Sequence, residues 1–349
     1  MTLKMKKMLA AGFCCILLLS GCSTKKKVVY MELTAPEERG LNLVKITDES
    51  SGNVIGGTSY YMGSNDRTYA QKRVSGFCND ANYTWTTYPN LAISPDGTKI
   101  AYVQRANGSN NVMVKNSSGL GTVTQRTFRN VLGGFCWGDD GKLYFADNNR
   151  PNYYICSIPA DNGTMMSQHT TGNVDDSFPV ISPDGNKLYF TRWQSNYGPS
   201  IWVLDMETGQ LGSCAQGYNA CPIPGEENTF YCVRNSSQGR SEIWKVNYAN
   251  GNESLVLSNV NHGFTNPVLS PDGRWLLVQG NAKSGISNEQ NLDIFAVRTD
   301  GSNLTQLTYH PGEDMCPQWA PDGKRVYFIS SRGNKEGWYN VWSMNFMLH

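Results

Sequence analysis

The chain has 349 residues, enough to bury one large core or two, and sets 30 Lys and Arg against 29 Asp and Glu for a formal net charge of +1. That balance gives nucleic acid or an acidic polymer no electrostatic footprint to read. Aromatic residues at 11%, 35 glycines and few long apolar-periodic stretches favour short strands and tight turns, so an all-β fold is expected.

In chain order, residues 1–22 stand apart from any fold. Lys4, Lys6 and Lys7 make a basic start, and Met8 to Leu19 is an apolar run too short to remain as a membrane-spanning helix. The run ends in Leu19-Ser20-Gly21-Cys22, which resembles the bacterial lipobox; the resemblance implies cleavage before Cys22 and acylation of its thiol. An acyl chain holds a protein at a membrane by burial worth about 0.8 kcal/mol per CH₂. Residues 23–40, with Lys25, Lys26 and Lys27, read as a solvated tether close to lipid headgroups. The expected location is therefore the bacterial cell envelope, lipid-anchored at the outer membrane and facing the periplasm.

Beyond Cys22 seven cysteines remain, Cys78, Cys136, Cys156, Cys214, Cys221, Cys232 and Cys316. An odd number cannot all pair within one molecule. Cys221 and Cys232 flank the turn near Gly225-Glu226-Glu227 and are the candidate disulfide, the alternative being small apolar side chains buried in strands.

From Tyr88 onward one tight turn keeps returning. Ser-Pro-Asp-Gly occurs at 94–97, 182–185 and 270–273, with weaker copies at 138–141 (GDDG) and 320–323 (APDG). Proline presets φ, Asp bonds its own backbone and Gly accepts φ > 0, so each copy closes a hairpin onto an apolar run such as Lys99–Val103 or Lys187–Phe190. Positions 94, 138 and 182 are 44 residues apart, and a degenerate copy around Pro222–Asn228 fills the gap before 270. Six units result, each with an inner strand A, a strand B after the turn, a strand C such as Ser200–Asp205 or Glu242–Val246, and a strand D such as Leu304–Thr308. This is the signature of a β-propeller. The last unit stops after strand C, so an N-terminal strand must close the ring. The spacing assigns it to Gln71–Ser75, after a strand at Thr58–Met62. The expected organisation is a single domain over residues 41–349, with 41–75 supplying an extension and the closing strand and 76–349 the six repeats. A seventh blade built from the extension is the alternative.

The repeat Pro-x-x-Ser-Pro-Asp-Gly-x-x-Leu-x-Phe, with Ile-Trp-Val and Gln-Leu-Thr downstream, resembles the WD40-like (PD40) repeat of TolB-like six-bladed propellers, over Tyr88 to His349. The resemblance implies the fold and leaves function open.

Motifs for chemistry are sparse. The sequence has no Gly-x-Ser-x-Gly elbow, no His-Glu-x-x-His and no glycine-rich phosphate loop. His169, His262 and His310 fall in the connections from strand D to the next strand A, with Asp80, Asp175, Asp176, Glu313 and Asp314 nearby. Such connections gather at one mouth of the ring, where loops on a rigid scaffold suit recognition. The function expected is non-enzymatic binding of an envelope protein or a cell-wall or nutrient glycan by a monomer without cofactor. The alternative is a metal-dependent polysaccharide lyase or hydrolase holding a divalent ion through His262 and His310, similar in kind to oligogalacturonate lyases.

Overall fold

A computed structural model describes residues 35–47, 54, 59–61, 85–87, 89–106, 108–148, 152–194, 198–237, 239–260, 262–283, 290–333 and 339–348. The signal sequence, Cys22, the tether to residue 34, Cys78, Asp80 and Gln71–Ser75 lie outside them. Six sheets of four antiparallel strands form a ring. Blade one spans 91–125, blade two 131–168, blade three 175–216, blade four 218–257, blade five 264–306, and blade six 314–345 plus 44–45. Six is the number the turn spacing implied.

The A-to-B turns form as their chemistry dictates. In blade one Gly97 N donates to Ser94 O at 2.8 Å, Ser94 Oγ to Asp96 Oδ1 at 2.6 Å and Thr98 N to Asp96 Oδ1 at 3.0 Å. Blades three and five repeat the Ser-to-Asp bond at 2.5 and 2.6 Å. These bonds hold the Asp96 and Asp272 carboxyls at about 2. The Asp residues of the quartet are turn-formers. Each inner strand then breaks step: Phe178, Asn219, Asn266 and Cys316 have φ between 50° and 54°, at register shifts against strand B. Three of them precede proline, which bars the right-handed helical region, and the bulge tightens the twist of the strand nearest the channel.

Because a blade is covered on both faces, its core is divided among seams. Six apolar clusters each straddle a junction between neighbouring blades. Strand B of blade three shows the alternation: Leu188 and Phe190 face blade two, and Tyr189 between them faces blade four. Burying each such side chain is worth about 1.5–3 kcal/mol, so the seams hold the ring together.

The same alternation corrects the disulfide. Cys221 lies opposite Tyr231, not Cys232, so the two sulfurs emerge on opposite faces; Cys232 packs in the seam toward blade three and Cys221 in the seam toward blade five. Both thiols are free. Burial pushes them up, Cys221 to about 11 and Cys232 to about 12.

The ring is closed by an N-terminal strand, but a different one from that expected. Val44–Lys45 pairs antiparallel with Asn340–Asn345, Val44 opposite Ser343 and Lys45 opposite Trp342. This corrects the assignment of Gln71–Ser75, because the edge of blade six is already taken. The reason lies in a tripeptide. In blades one, two and five strand D runs into Gln-x-Thr, and Thr127, Thr170 and Thr308 Oγ1 accept from the amides of Val112, Ile155 and Ile294 at 2.8–2.9 Å. Lys45-Ile46-Thr47 does the same in blade six: Thr47 Oγ1 accepts from Val341 N at 2.9 Å and donates to Asn340 Oδ1 at 2.8 Å. The other strand expected in a blade, Ser59–Tyr61, instead pairs with Trp85–Thr87 in a separate two-stranded sheet, Trp85–Thr87 lying beside the inner strand of blade five, Phe264–Leu269. Replacing Thr47 by Val strands a buried amide and should cost about 1–3 kcal/mol. Urea unfolding should show a lower midpoint at unchanged slope for Thr47→Val, with Thr47→Ser close to wild type.

Candidate functional site

In an antiparallel meander the D-to-A and B-to-C connections collect at one end of the ring, and the A-to-B and C-to-D turns at the other. Among the described residues the first end carries Asp175, Asp176, His262, His310, Glu313 and Asp314, whereas His169 packs on Ser157 and Tyr144 near Asp140 and Lys142 of an A-to-B turn. Their partners show what each is for.

Asp176 begins strand A of blade three opposite Arg192 on strand B. It is fully buried, and its two oxygens accept from Arg192 Nε at 2.8 Å and Nη2 at 2.9 Å. The guanidinium carbon lies 4.5 Å from the centre of the Trp202 ring. Burial pushes the Asp176 carboxyl up against the pull of Arg192. Asp175 clamps the preceding loop, its Oδ1 accepting from Tyr153 N and Asn152 Nδ2, both at 3.1 Å.

The histidines are also engaged. His169 Nε2 meets Ser157 Oγ at 2.8 Å with its ring against Tyr144, and burial lowers its basicity. His262 bonds through Nδ1 to the carbonyl of Asn281 and rests against Phe264 and Phe295. His310 is buried, and its Nδ1 accepts from Gly312 N at 2.8 Å, closing its own turn. Among the described residues no group of three or more His, Cys, Asp and Glu is arranged to hold a metal ion.

Glu313 and Asp314 sit side by side with opposite fates. The phenol of Tyr339 donates to Glu313 Oε2 at the mouth, and burial pushes the Glu313 carboxyl up to about 7, with the charge of Asp314 adding to it. Asp314 turns inward to Arg332, whose Nη2 reaches Asp314 Oδ2 at 2.5 Å. The structure thus brings Glu313, Asp314 and Tyr339 together in blade six. Asp175 and Asp176 belong to blade three and His262 to blade five.

The densest charge cluster was not anticipated. Arg332 is the largest fully buried side chain of the described residues. It also donates from Nη1 and Nη2 to Glu38 Oε2 and Oε1, each at 3.0 Å, and its guanidinium stacks near Phe328 and Trp342. Glu38 comes from the 3-10 turn Pro36–Glu38 and accepts as well from Tyr309 N at 2.8 Å. Beside them the fully buried Asp293 accepts from Thr308 Oγ1 at 2.9 Å. Burial, then the charge of Asp314, pushes Asp293 up to about 9; burial also raises Asp314, to about 6. One signal was available: an arginine 16 residues after Asp176 and another 18 after Asp314 mark the same pairing. Nothing local pointed to Glu38.

The opposite end holds a cleft of about 280 Å³ between blades five and six, with Trp275, Trp319 and Phe346 in its wall. Both tryptophans are buried, their edges packed on Phe346.

No family model matches the chain. It is similar to a TolB homolog of Chlorobium luteolum, 25% identical over 195 residues that cover 56% of this chain and 33% of the relative. In each curated relative matched, the aligned stretch is less than two thirds of the relative's own length. Among solved structures the fold is similar to TolB from Acinetobacter baumannii, with a TM-score of 0.57, 18% identity, and coverage of 72% of this chain and 65% of that one. It is also similar to an oligogalacturonate lyase from Vibrio parahaemolyticus, with a TM-score of 0.52, 13% identity, and coverage of 84% and 98%. At such identities the likeness is one of fold.

Proposed function

The chain folds as a TolB-like six-bladed propeller, and we propose that it acts as a non-enzymatic binding scaffold of the bacterial envelope. On this reading Cys22 carries the lipid anchor, and the D-to-A mouth holds a protein partner or a cell-wall or nutrient glycan. One observation carries the proposal: apart from Glu313, the acids and imidazoles of that mouth are already committed to holding blades and turns. Asp176 and Asp314 neutralise buried arginines within their own blades, and His262 and His310 bond backbone groups. That leaves loop surface on a rigid ring, which serves recognition. The alternative through a divalent ion would need ligands beyond these two histidines, each already bonded where it stands.

Glu313 is the group of the set placed to meet a ligand. It is half-buried at the mouth, and a carboxyl at about 7 takes up or gives up its proton at little cost near neutral pH. The test is retention of solubilised envelope components on the immobilised full chain. Glu313→Ala should reduce retention of a wild-type-bound component at least tenfold, with unchanged melting temperature. Arg274→Ala, at the opposite mouth, should retain it fully. Equal retention by Glu313→Ala, or retention of nothing by the wild type, overturns the reading. Asp314 is unsuited to the same test, because removing it leaves Arg332 short of a buried partner.

A further inference from the structure

We propose that Glu38 is a charge-controlled latch: it holds residues 35–43, which lead into the closing strand, on blade six while the cluster around Arg332 carries few negative charges, and lets go as that cluster ionises. The comparison that points to it is internal. Blades three and six each bury an arginine against an aspartate of strand A and near a tryptophan of strand C, Arg192 with Asp176 and Trp202, Arg332 with Asp314 and Trp342. In blade three the account closes at one cation and one anion. Blade six adds a second carboxylate on the same guanidinium, and that one belongs to the N-terminal segment.

Glu38 is well placed to govern closure. It lies six residues before Val44, and the stretch between is held by little else: Asn345 N donates to Leu41 O at 2.7 Å, and Leu41 and Leu43 pack at the rim of the blade five and six seam. The paired strand itself has two residues. The Arg332 contact therefore accounts for much of what fastens 35–43 to the ring, while Ile46 in the core and Thr47, bonded to Val341 and Asn340, hold the residues behind.

The charged and titratable groups around Glu38 come from several elements, among them the phenol of Tyr309, which burial and then the charges of Glu37, Asp293 and Glu38 itself push up. Arg332 reaches Glu38 from beyond strand B of blade six, Asp314 from strand A, Asp293 from strand C of blade five, and the backbone amide of Tyr309 from the connection between the blades. His310 next to it is occupied with Gly312. Three carboxyls thus share one buried guanidinium. With Asp293 protonated, Glu38 and Asp314 share Arg332. Once Asp293 ionises, two negative charges in excess are buried in one seam, where an unpaired ion is strongly disfavoured. Of the three carboxylates only Glu38 lies outside the strands of a blade, Asp293 and Asp314 each standing in one. The direction follows: neutral conditions, with Asp293 protonated, keep the latch shut, and alkaline conditions open it as Asp293, held near 9, ionises.

The experiment is trypsin cleavage after Arg39 of the full chain, read by mass spectrometry at pH 7.0 and 9.5. Rates are normalised at each pH to an unstructured peptide and, for global unfolding, to cleavage after Arg192. The normalised rate should rise at least tenfold in the wild type. In Asp293→Asn, which keeps an acceptor for Thr308, it should change less than twofold. In Glu38→Gln it should already exceed the wild type tenfold at pH 7.0. A flat wild-type rate overturns the proposal, as does an Asp293→Asn rise equal to that of the wild type. If Asp293→Asn does not fold, the Glu38→Gln arm decides, and a wild-type rate there at pH 7.0 sinks the idea.

Discussion

Replacing Arg332 by Met is expected to cost about 3–5 kcal/mol at pH 7.5, the range for removing one partner from a buried ion pair. Methionine fills much of the volume between Phe328 and Trp342, so the loss is electrostatic: Asp314 stays buried without its counter-charge, and Glu38 loses the partner that holds it against blade six. Without the guanidinium the Asp314 carboxyl, already pushed up by burial, shifts further up. The penalty should therefore shrink as pH falls and protonation relieves it. Chemical denaturation at pH 5.5, 7.5 and 8.5 reads this directly, and a penalty independent of pH would place the cause in packing. Arg192→Met, which frees one carboxylate and not two, should cost less and vary less with pH.

Asp293→Asn should have the opposite sign, raising stability near neutrality by on the order of 2–4 kcal/mol. In the folded protein the carboxyl is pushed from 3.8 up to about 9, so the native state holds a proton that the unfolded chain has released. A raised carboxyl costs nothing below about 3.8, and its penalty grows as pH climbs toward 9. Asp314, at about 6, adds the same trend over the window from 3.8 to 6. The turn acids run the other way. Asp96 and Asp272, held at about 2, stabilise above 3.8 and lose that contribution as pH falls toward 2. The wild type should thus lose stability from mildly acidic to alkaline pH, and Asp293→Asn should flatten that slope. Parallel pH profiles for the two proteins would refute the assignment.

Much of the architecture was legible because it is written locally. A Ser-Pro-Asp-Gly turn makes its own hydrogen bonds within six residues, and strands covered on both faces carry apolar runs such as Leu188–Phe190. The recurrence of both gave six blades. The candidate mouth was legible as a location, because the D-to-A loops must gather. The roles of its residues were not, because Asp176 and Asp314 look alike in sequence to acids awaiting a ligand. Only their registers against Arg192 and the reach of Arg332 decide that they are already neutralised. Cys221 and Cys232 make the same point, since a single-residue offset sends one thiol to each face.

What the chain determined by itself is the repeat unit: the turn, the four strands, the Gln-x-Thr that ends strand D, and the need for an N-terminal strand to close the ring. Which strand closes it, and what fastens that strand, belong to the tertiary structure. Glu38 and Arg332 are 294 residues apart, as are Thr47 and Val341 in the closing hydrogen bond. No local preference brings such residues together. Ring closure does, by placing the last blade beside the first residues of the fold, and the burial that follows turns a surface acid into part of a charged seam.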